Sequence, residues 1–170
     1  MRSLADGKLK WSLLVEKPVD ETKPTATELN AGIDASPAVL VSDFNWTNAD
    51  SARFEEKSLA QKGQSEALGN SAYTLGATFF REFLDAGGAD IAGEDAPYQA
   101  VRVKDTTLWA YARETDQDAT EPWKAGDEIY LGGRVKTDTP QRLGPDGTIK
   151  RRVPFVPQAM HENITVGAGV

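Results

Sequence analysis

Apolar residues alternate with polar ones in six or seven separate segments of the chain, and this alternation restricts the fold more than any other feature. In the first segment, Leu9, Trp11 and Leu13 alternate with Lys10 and Ser12. Successive side chains of a β-strand point to opposite faces of the sheet, so a half-buried strand shows this period of two. We therefore predict a mainly β fold in which each strand has one packed face. Strands are predicted at residues 8–16, 37–46, 73–81, 106–114, 127–137, 148–155 and 163–170.

One short segment carries the signals of a helix instead. Thr25 and Glu28 have the spacing of a capping box, in which each side chain accepts a hydrogen bond from the backbone amide of the other residue. This spacing predicts a helix over about residues 26–31 that packs Leu29 onto the sheet. Gly32 is expected to end the helix in the left-handed conformation.

The later part of the chain contains a second helix signal and several turn signals. A helix is predicted over about residues 95–104, with Pro97 in its first turn. Gly132 and Gly133, and the Pro-Asp-Gly sequence at 145–147, are typical of turns between strands. The chain of 170 residues is expected to form one domain, residues 1–170, in which 1–24 make an N-terminal arm and the first strand.

Composition and charge exclude several classes of function. The chain has 19 Lys and Arg residues against 26 Asp and Glu, a net charge of −7, whereas binding to nucleic acid phosphates requires an excess of basic residues. It has no cysteine, so disulfides, thiolate nucleophiles and sulfur-ligated zinc sites are excluded. No apolar run approaches the roughly 20 residues that cross a bilayer, and no apolar signal-peptide core is expected near the N-terminus.

The sequence contains no recognisable catalytic or metal-binding motif. The single histidine, His161, is predicted to lie in an exposed turn before the last strand. Asp116 and Asp118 lack the glycine and the distal glutamate of a calcium loop, and we interpret them as a solvated hairpin tip. No glycine-rich phosphate-binding motif joins a strand to a helix. We therefore predict no enzyme activity, no catalytic residue, no metal and no cofactor.

Residues 50–70 form a long polar segment without a clear period. A strand is possible at 53–57, but more than 20 residues are too many for a hairpin turn, and such a segment is often functional. We expect it to become structured against another copy of the chain, and deletion of residues 55–66 to leave a folded monomer that cannot polymerise. A basic cluster at 150–152 is expected to guard an exposed strand edge. The predicted oligomer interface comprises Arg53, Phe54, Glu55, Glu56, Lys57, Lys62, Lys150, Arg151 and Arg152.

Seven short segments follow one another in a characteristic order over about residues 24–160. They are 24–34 (PTATELNAGID), 42–46 (SDFNW), 69–73 (GNSAY), 79–85 (FFREFLD), 98–101 (YQAV), 122–128 (PWKAGDE) and 149–154 (IKRRVP). Taken together, their order and spacing resemble the major tail tube proteins of long-tailed, non-contractile bacteriophages, in the version common in phages of actinobacteria.

This resemblance implies a fold, an assembly and a set of partners. The fold would be a β-sandwich or partly closed barrel with a flanking α-helix and a long loop at 50–70. Six copies would form a ring, and stacked rings would form a tube that the genomic DNA passes through without specific binding. The partners would be further copies of the chain, a tape-measure protein, and the tail terminator and tip proteins. The protein would belong to the virion tail, assemble in the host cytoplasm and have no contact with a membrane.

Two other interpretations remain open at this point. A tail-completion or head-tail joining protein of the same virion would have a similar composition. A monomeric β-sandwich that binds a carbohydrate or a protein would need exposed aromatic residues in its loops, and the loops contain little besides Trp123.

Overall fold

The computed structural model describes residues 1–63 and 65–169. Within them the chain forms ten β-strands, two α-helices and two short 3-10 helices, which confirms the mainly β fold with a flanking helix. In chain order the elements are β1 Leu9–Leu14, α1 Ala26–Ala31, β2 Ile33–Asp34, the 3-10 helices Ser36–Ala38 and Val41–Asp43, β3 Asn45–Ala49, β4 Arg53–Glu55, β5 Glu66–Leu68, β6 Ala72–Phe80, α2 Ala96–Val101, β7 Thr107–Glu114, β8 Glu128–Thr137, β9 Gln141–Arg142 and β10 Lys150–Thr165.

Eight strands form one antiparallel sheet in the order β2-β1-β7-β8-β10-β6-β3, with β9 also paired to β10. The 16-residue strand β10 joins the two parts of this sheet. Its residues 150–154 pair with β6, and its residues 155–165 pair with β8. We call β2, β1, β7, β8 and the later part of β10 the first layer. The second layer comprises β9, the early part of β10, β6 and β3.

The two layers face each other around an aromatic core. The ring centroid of Trp11, in the first layer, lies 5.2 Å from that of Trp46 and 5.8 Å from that of Phe79, both in the second layer. Phe155 is the first residue of β10 that pairs with β8 instead of β6, and its ring centroid lies 5.7 Å from that of Trp11. Because β1 and β3 are five strands apart in the sheet order, these contacts require the sheet to fold back on itself. The result is a β-sandwich whose sheet does not close.

The prediction of one packed face per strand is wrong for the first layer. Its outer face carries a second buried cluster, in which Leu29 of α1 and Trp123 of the 115–127 loop pack on Leu14 and Tyr111. The polar residues on this face are buried because each has a partner. Trp123 Nε1, for example, donates a hydrogen bond to Ser12 Oγ at 2.8 Å.

The capped helix forms as predicted, but Gly32 plays a different part. Thr25 and Glu28 make both bonds of the capping box, and Leu29 is buried. Gly32 has φ −71° and ψ −177°, which is extended rather than left-handed, because the chain runs directly into β2. A Cβ at Gly32 would lie 2.4 Å from Leu14 Cδ2, so glycine is needed there for close approach to β1.

The chain between residues 37 and 46 is not a strand. Two 3-10 helices, Ser36–Ala38 and Val41–Asp43, occupy most of it. Val39 makes one isolated bridge to Phe79 of β6, and continuous pairing with β6 begins at Asn45. Pro37 lies in the first turn of the first 3-10 helix. Backbone N–H groups at the start of a helix have no partner within it, so the N–H that proline lacks is not needed there. The alternation of Leu40, Ser42 and Phe44 therefore does not mark a strand, although Leu40 N donates a hydrogen bond to the Thr78 carbonyl oxygen of β6 at 2.9 Å.

The strands predicted at 148–155 and 163–170 are largely one strand, β10. His161 lies in its middle, opposite Gly132 of β8, so the predicted turn there is wrong. Gly132 and Gly133 also belong to a strand rather than to a turn. A Cβ at Gly133 would come within 2.0 Å of the Ala159 carbonyl oxygen, next to an irregularity of β10, so the two strands can approach here only at glycine. Val170 of the predicted last strand is outside the described residues.

Candidate assembly interface

Residues 50–70 form a hairpin that extends the β3–β6 pair, and we call these residues the long hairpin. Pairing of β3 with β6 ends at Ala49 and Ala72. It resumes with hydrogen bonds from Ala52 N to Asn70 O (3.1 Å) and from Gly69 N to Ala52 O (2.6 Å), and then continues as β4 with β5. The possible strand at 53–57 thus exists over Arg53–Glu55. This part of the segment is structured within the single chain, while Gln64 is outside the described residues.

The long hairpin exposes apolar side chains although it is otherwise polar. Phe54, Leu59 and Leu68 are among its exposed residues, and Leu59 lies at full exposure in the connection between β4 and β5. Its charges partly pair with one another, since Arg53 Nη1 lies 3.4 Å from Glu66 Oε2 and Lys57 Nζ lies 3.0 Å from a Glu55 carboxylate oxygen. These exposed apolar side chains make the long hairpin a candidate contact surface.

The basic cluster at 150–152 does not guard a free strand edge. Lys150 pairs with Phe80 of β6, while Arg151 and Arg152 each have β6 on one side and β9 on the other. The prediction of an exposed edge is therefore wrong. It failed because the alternation of side chains along a strand does not show which strands pair with it. The cluster lies at the Phe80 end of β6, whereas the long hairpin begins at its Ala72 end. A nine-residue strand spans about 26–30 Å, so the structure separates the two predicted halves of the interface.

Strand β10 has one unpaired side over 155–165. It pairs with β8 along this length, and β6 pairs with it only over 150–154. Within residues 1–63 and 65–169, no strand pairs with the other side of this part of β10. Val156, next to the point of divergence, is 48% exposed. This edge does not follow from the sequence pattern, because the pattern predicts a turn at His161, within β10.

Two side chains bridge the layers where β6 leaves β10. Tyr73 OH of β6 donates to Glu162 Oε1 of β10 at 2.7 Å, and Trp46 Nε1 of β3 donates to the Leu131 carbonyl oxygen of β8 at 3.1 Å. The hydrogen bond to Glu162 raises the pKa of Tyr73, because losing the proton would place two negative charges side by side. These bonds fix the spacing of the two layers beside the unpaired side of β10.

The 115–127 loop is held by the fully buried Arg113. Its Nη1 donates to Asp127 Oδ2 at 2.8 Å, and its Nη2 donates to the carbonyl oxygens of Asp118 (3.0 Å) and Glu121 (3.2 Å). Burial alone would raise the pKa of Asp127, but hydrogen bonds from the Lys124 amide and from Arg113 outweigh it and hold the pKa below its usual value. The sequence signal for this role is that Arg113 continues the buried register of Trp109 and Tyr111.

A second buried carboxylate holds the start of α2. Arg81 Nε and Nη2 donate to Asp95 Oδ1 and Oδ2 at 2.9 Å and 3.1 Å, and the Glu82 amide and Gln99 side chain donate as well. Burial would raise the pKa of Asp95, but the bonds from Arg81 and Gln99 hold it below its usual value. This pair holds α2 in place, and α2 contacts β2 of the first layer and β6 of the second.

The residues that could act as metal ligands do not come together in one site within the described part of the chain. Across the part of the chain that the structure describes, no group of three or more His, Asp or Glu side chains is placed to hold a metal ion. Asp116 and Asp118 lie in the β7–β8 connection, where the Asp116 carbonyl oxygen and Asp118 Oδ1 accept hydrogen bonds from Lys8 Nζ. None of the described helices combines the length and apolar character that crossing a bilayer requires.

Trp123 gives no support to the carbohydrate- or protein-binding interpretation. Although it lies in a loop, its side chain is buried and its Nε1 is occupied by Ser12. It is therefore part of the core rather than of an exposed aromatic surface.

Comparison with known proteins assigns the chain to a family. A family model described as phage tail tube protein matches residues 1–169. No curated protein and no solved structure matches the chain. Proteins of that family are structural components of the virion tail that assemble with other tail proteins into a tube. Because the match covers nearly the whole sequence, the chain belongs to the phage tail tube protein family.

Proposed function

We propose that six copies of the chain form a ring and that stacked rings form the tube through which the phage genome is delivered. The observation that carries this proposal is the unpaired side of β10 over 155–165. An open strand edge readily pairs with a strand of another chain, because its backbone donors and acceptors have no partner of their own. The number six comes from the resemblance to the major tail tube proteins.

Strand β3 supplies a second open edge for the same ring. It pairs with β6 on one side only and stands at the end of the sheet order. Pairing of β3 in one copy with β10 in the next joins two different surfaces, so the contact is heterologous. It closes into a ring when six rotations make one full turn. The sheets of six copies then form one continuous wall.

The negative charge of the subunit suits a passage for DNA. With a net charge of −7, a wall of neutral or acidic groups repels phosphate and does not retain it. We propose that DNA passes without specific binding, that a tape-measure protein occupies the lumen during assembly, and that terminator and tip proteins complete the ends. The proposal also covers assembly in the cytoplasm of an actinobacterial host and a long, non-contractile tail.

The predicted interface residues enter this proposal at two places. The long hairpin, with Arg53, Phe54, Glu55, Glu56, Lys57 and Lys62, is proposed to contact neighbouring copies. Lys150, Arg151 and Arg152 are proposed to face a different neighbour, because they lie at the other end of β6.

Electron microscopy of the purified protein at high concentration, combined with light scattering, tests the ring. We expect rings or hollow tubes from the wild-type chain and from Val19→Lys, which adds the same charge at an exposed loop position. Val156→Lys places a charge beside the open edge and is expected to give folded monomers, because charged side chains at a strand edge disfavour pairing. Rings formed equally well by Val156→Lys would contradict edge pairing at β10.

A further inference from the structure

An apolar groove opens beside the start of β1. Its volume is about 440 Å³, and Val41 on its wall is 82% exposed. A groove of this size with apolar walls suits the burial of apolar side chains. The apolar walls are formed by Leu9, Trp11, Pro37, Val39, Val41 and Phe44.

The N-terminus of the chain leads directly onto this groove. Ala5, Asp6 and Gly7 belong to its lining. Residues 1–4, which precede them, are all exposed, and we call these four residues the strap. The strap carries Leu4, whose side chain is 80% exposed, next to the lining residue Ala5.

We propose that the strap closes over the groove of its own chain and buries Leu4 against the apolar walls. In the structure the strap is open. Closure removes apolar surface of both Leu4 and Val41 from water in one step. The inference does not depend on the proposed ring, because the strap and the groove belong to one molecule.

A turn between residues 5 and 8 gives the strap the direction and the reach that closure requires. Lys8 N donates to the Ala5 carbonyl oxygen at 3.1 Å, and Gly7 has φ +69°, which suits glycine in a tight turn. The turn is held in place by a hydrogen bond from Ala119 N to the Gly7 carbonyl oxygen at 2.9 Å. Such a turn reverses the chain, so the strap starts at the groove. Four extended residues reach about 13 Å, which is more than the width of a compact groove of this volume.

A buried hydrogen-bond donor in the wall favours a peptide as the occupant. Trp11 is 1% exposed, and its Nε1 has no acceptor among the described residues. A buried donor without an acceptor is unfavourable. The strap brings backbone carbonyl oxygens to the wall that includes Trp11, whereas a purely apolar occupant would leave this donor unpaired.

Charge favours the same occupant. The acidic residues that line the groove are Asp6 and Asp34, and Lys10 Nζ lies 2.7 Å from Asp34. The strap carries two positive charges, on the terminal amine and on Arg2. Closure therefore moves basic groups towards a lining that contains Asp6, and high salt is expected to weaken it.

Cysteine cross-linking within one molecule tests the closure, because the chain has no cysteine of its own. The variant that combines Leu4→Cys with Val41→Cys alters two exposed side chains and is expected to fold. At low concentration with oxidised glutathione it is expected to give a monomer with an internal disulfide, which has no thiol left for labelling. Val19→Cys with Leu4→Cys is the matched control. Val19 is exposed and lies beyond the other end of β1, about 20 Å from its start, so this pair should keep both thiols.

The results distinguish the strap of the same chain from other occupants. Free thiols in the first variant after oxidation, or equal disulfide formation in the control, would overturn the closure. Disulfides between two molecules in place of an internal one would assign the groove to a second copy and would overturn it as well. Rings or their absence in microscopy leave this result unaffected, so the two proposals fail separately.

A second measurement avoids disulfide chemistry. Burial of one leucine side chain shifts an equilibrium by at least about tenfold, so the wild-type groove is expected to be mostly covered in solution. Leu4→Ser should therefore bind several times more of the neutral apolar dye Nile red than the wild type, and Val19→Ser should bind as the wild type does. Adding Val41→Asp to Leu4→Ser should remove the gain, because it places a charge in the groove. Equal dye binding by the wild type and Leu4→Ser would contradict the closure.

Discussion

At the scale of single residues, buried charges determine how the long connections are held. Arg113 is fully buried and bonds both to the Asp127 carboxylate and to backbone carbonyls of the 115–127 loop. That loop carries Trp123, which covers the outer face of the first layer. A single side chain therefore connects strand β7 to the loop that supplies Trp123 to the outer cluster.

Removing the charge at Arg113 is expected to destabilise the fold strongly. Arg113→Met leaves the Asp127 carboxylate buried without its cation, and breaking a buried pair in this way costs about 3–5 kcal/mol. Lys124→Met removes the cation of an exposed pair in the same loop, with Glu121, and should cost at most about 1 kcal/mol. Urea denaturation of both variants measures the difference, and equal losses would contradict a structural role for Arg113.

The lowered pKa values of Asp95 and Asp127 make a prediction about acid stability. A carboxyl with a lower pKa in the folded chain contributes its full stability above its unfolded pKa, for which the usual value is 3.8. That contribution decreases as the pH falls from about 4 towards the folded pKa, because the unfolded chain then binds more protons.

Urea titrations at pH 6 and at pH 3 are expected to show a lower free energy of unfolding at pH 3. Asp127→Asn should be less stable than wild type at pH 6 and should lose less stability on acidification. A wild-type and an Asp127→Asn curve with the same pH dependence below pH 4 would show that Asp127 does not contribute.

At the scale of elements, the long hairpin is separate from the cooperative body of the protein. Strands β4 and β5 pair only with each other and do not belong to the eight-stranded sheet. All six of their residues are exposed. The body of the sandwich is therefore expected to fold without this element.

Shortening the long hairpin tests that separation. Replacing residues 54–67 by Asn-Gly joins Arg53 to Leu68, which already face each other, through a two-residue turn that suits a hairpin. The variant is expected to keep the thermal unfolding temperature of the wild-type body and to form no tubes. A matched variant of unchanged length, in which exposed Ser58 is replaced by Ala, should still form tubes. Tubes of normal length from the shortened chain would contradict the role of the hairpin.

At the scale of the whole molecule, the sequence predicts the individual strands better than it predicts how the strands are arranged. Alternation located β1, β6, β7 and β8 closely, since in each the buried side chains are set by the pleat. It failed for β10, because backbone pairing with β8 tolerates polar His161 at a strand centre. It also failed at 37–46, where Val39 and Phe44 pack against the core from positions that directly follow the two 3-10 helices.

The candidate interface was predictable only where it is local. The absence of a period at 50–70 pointed to the long hairpin, and its residues are contiguous in the chain. The open edges depend on where β6 leaves β10 and on which strand ends the sheet order. Such sites arise from tertiary pairing between distant segments, which hydrophobic periodicity in a single sequence does not report.

The passage of β10 from one layer to the other also has a mechanical consequence. A load that slides the layers past each other along this strand is opposed by the backbone bonds of both ladders at once, because those bonds lie across the strand. A load that peels the layers apart breaks these backbone hydrogen bonds one after another. The subunit is therefore stiff to shear along β10 and more compliant to opening across it, so a tube of such subunits would respond differently to stretching and to bending.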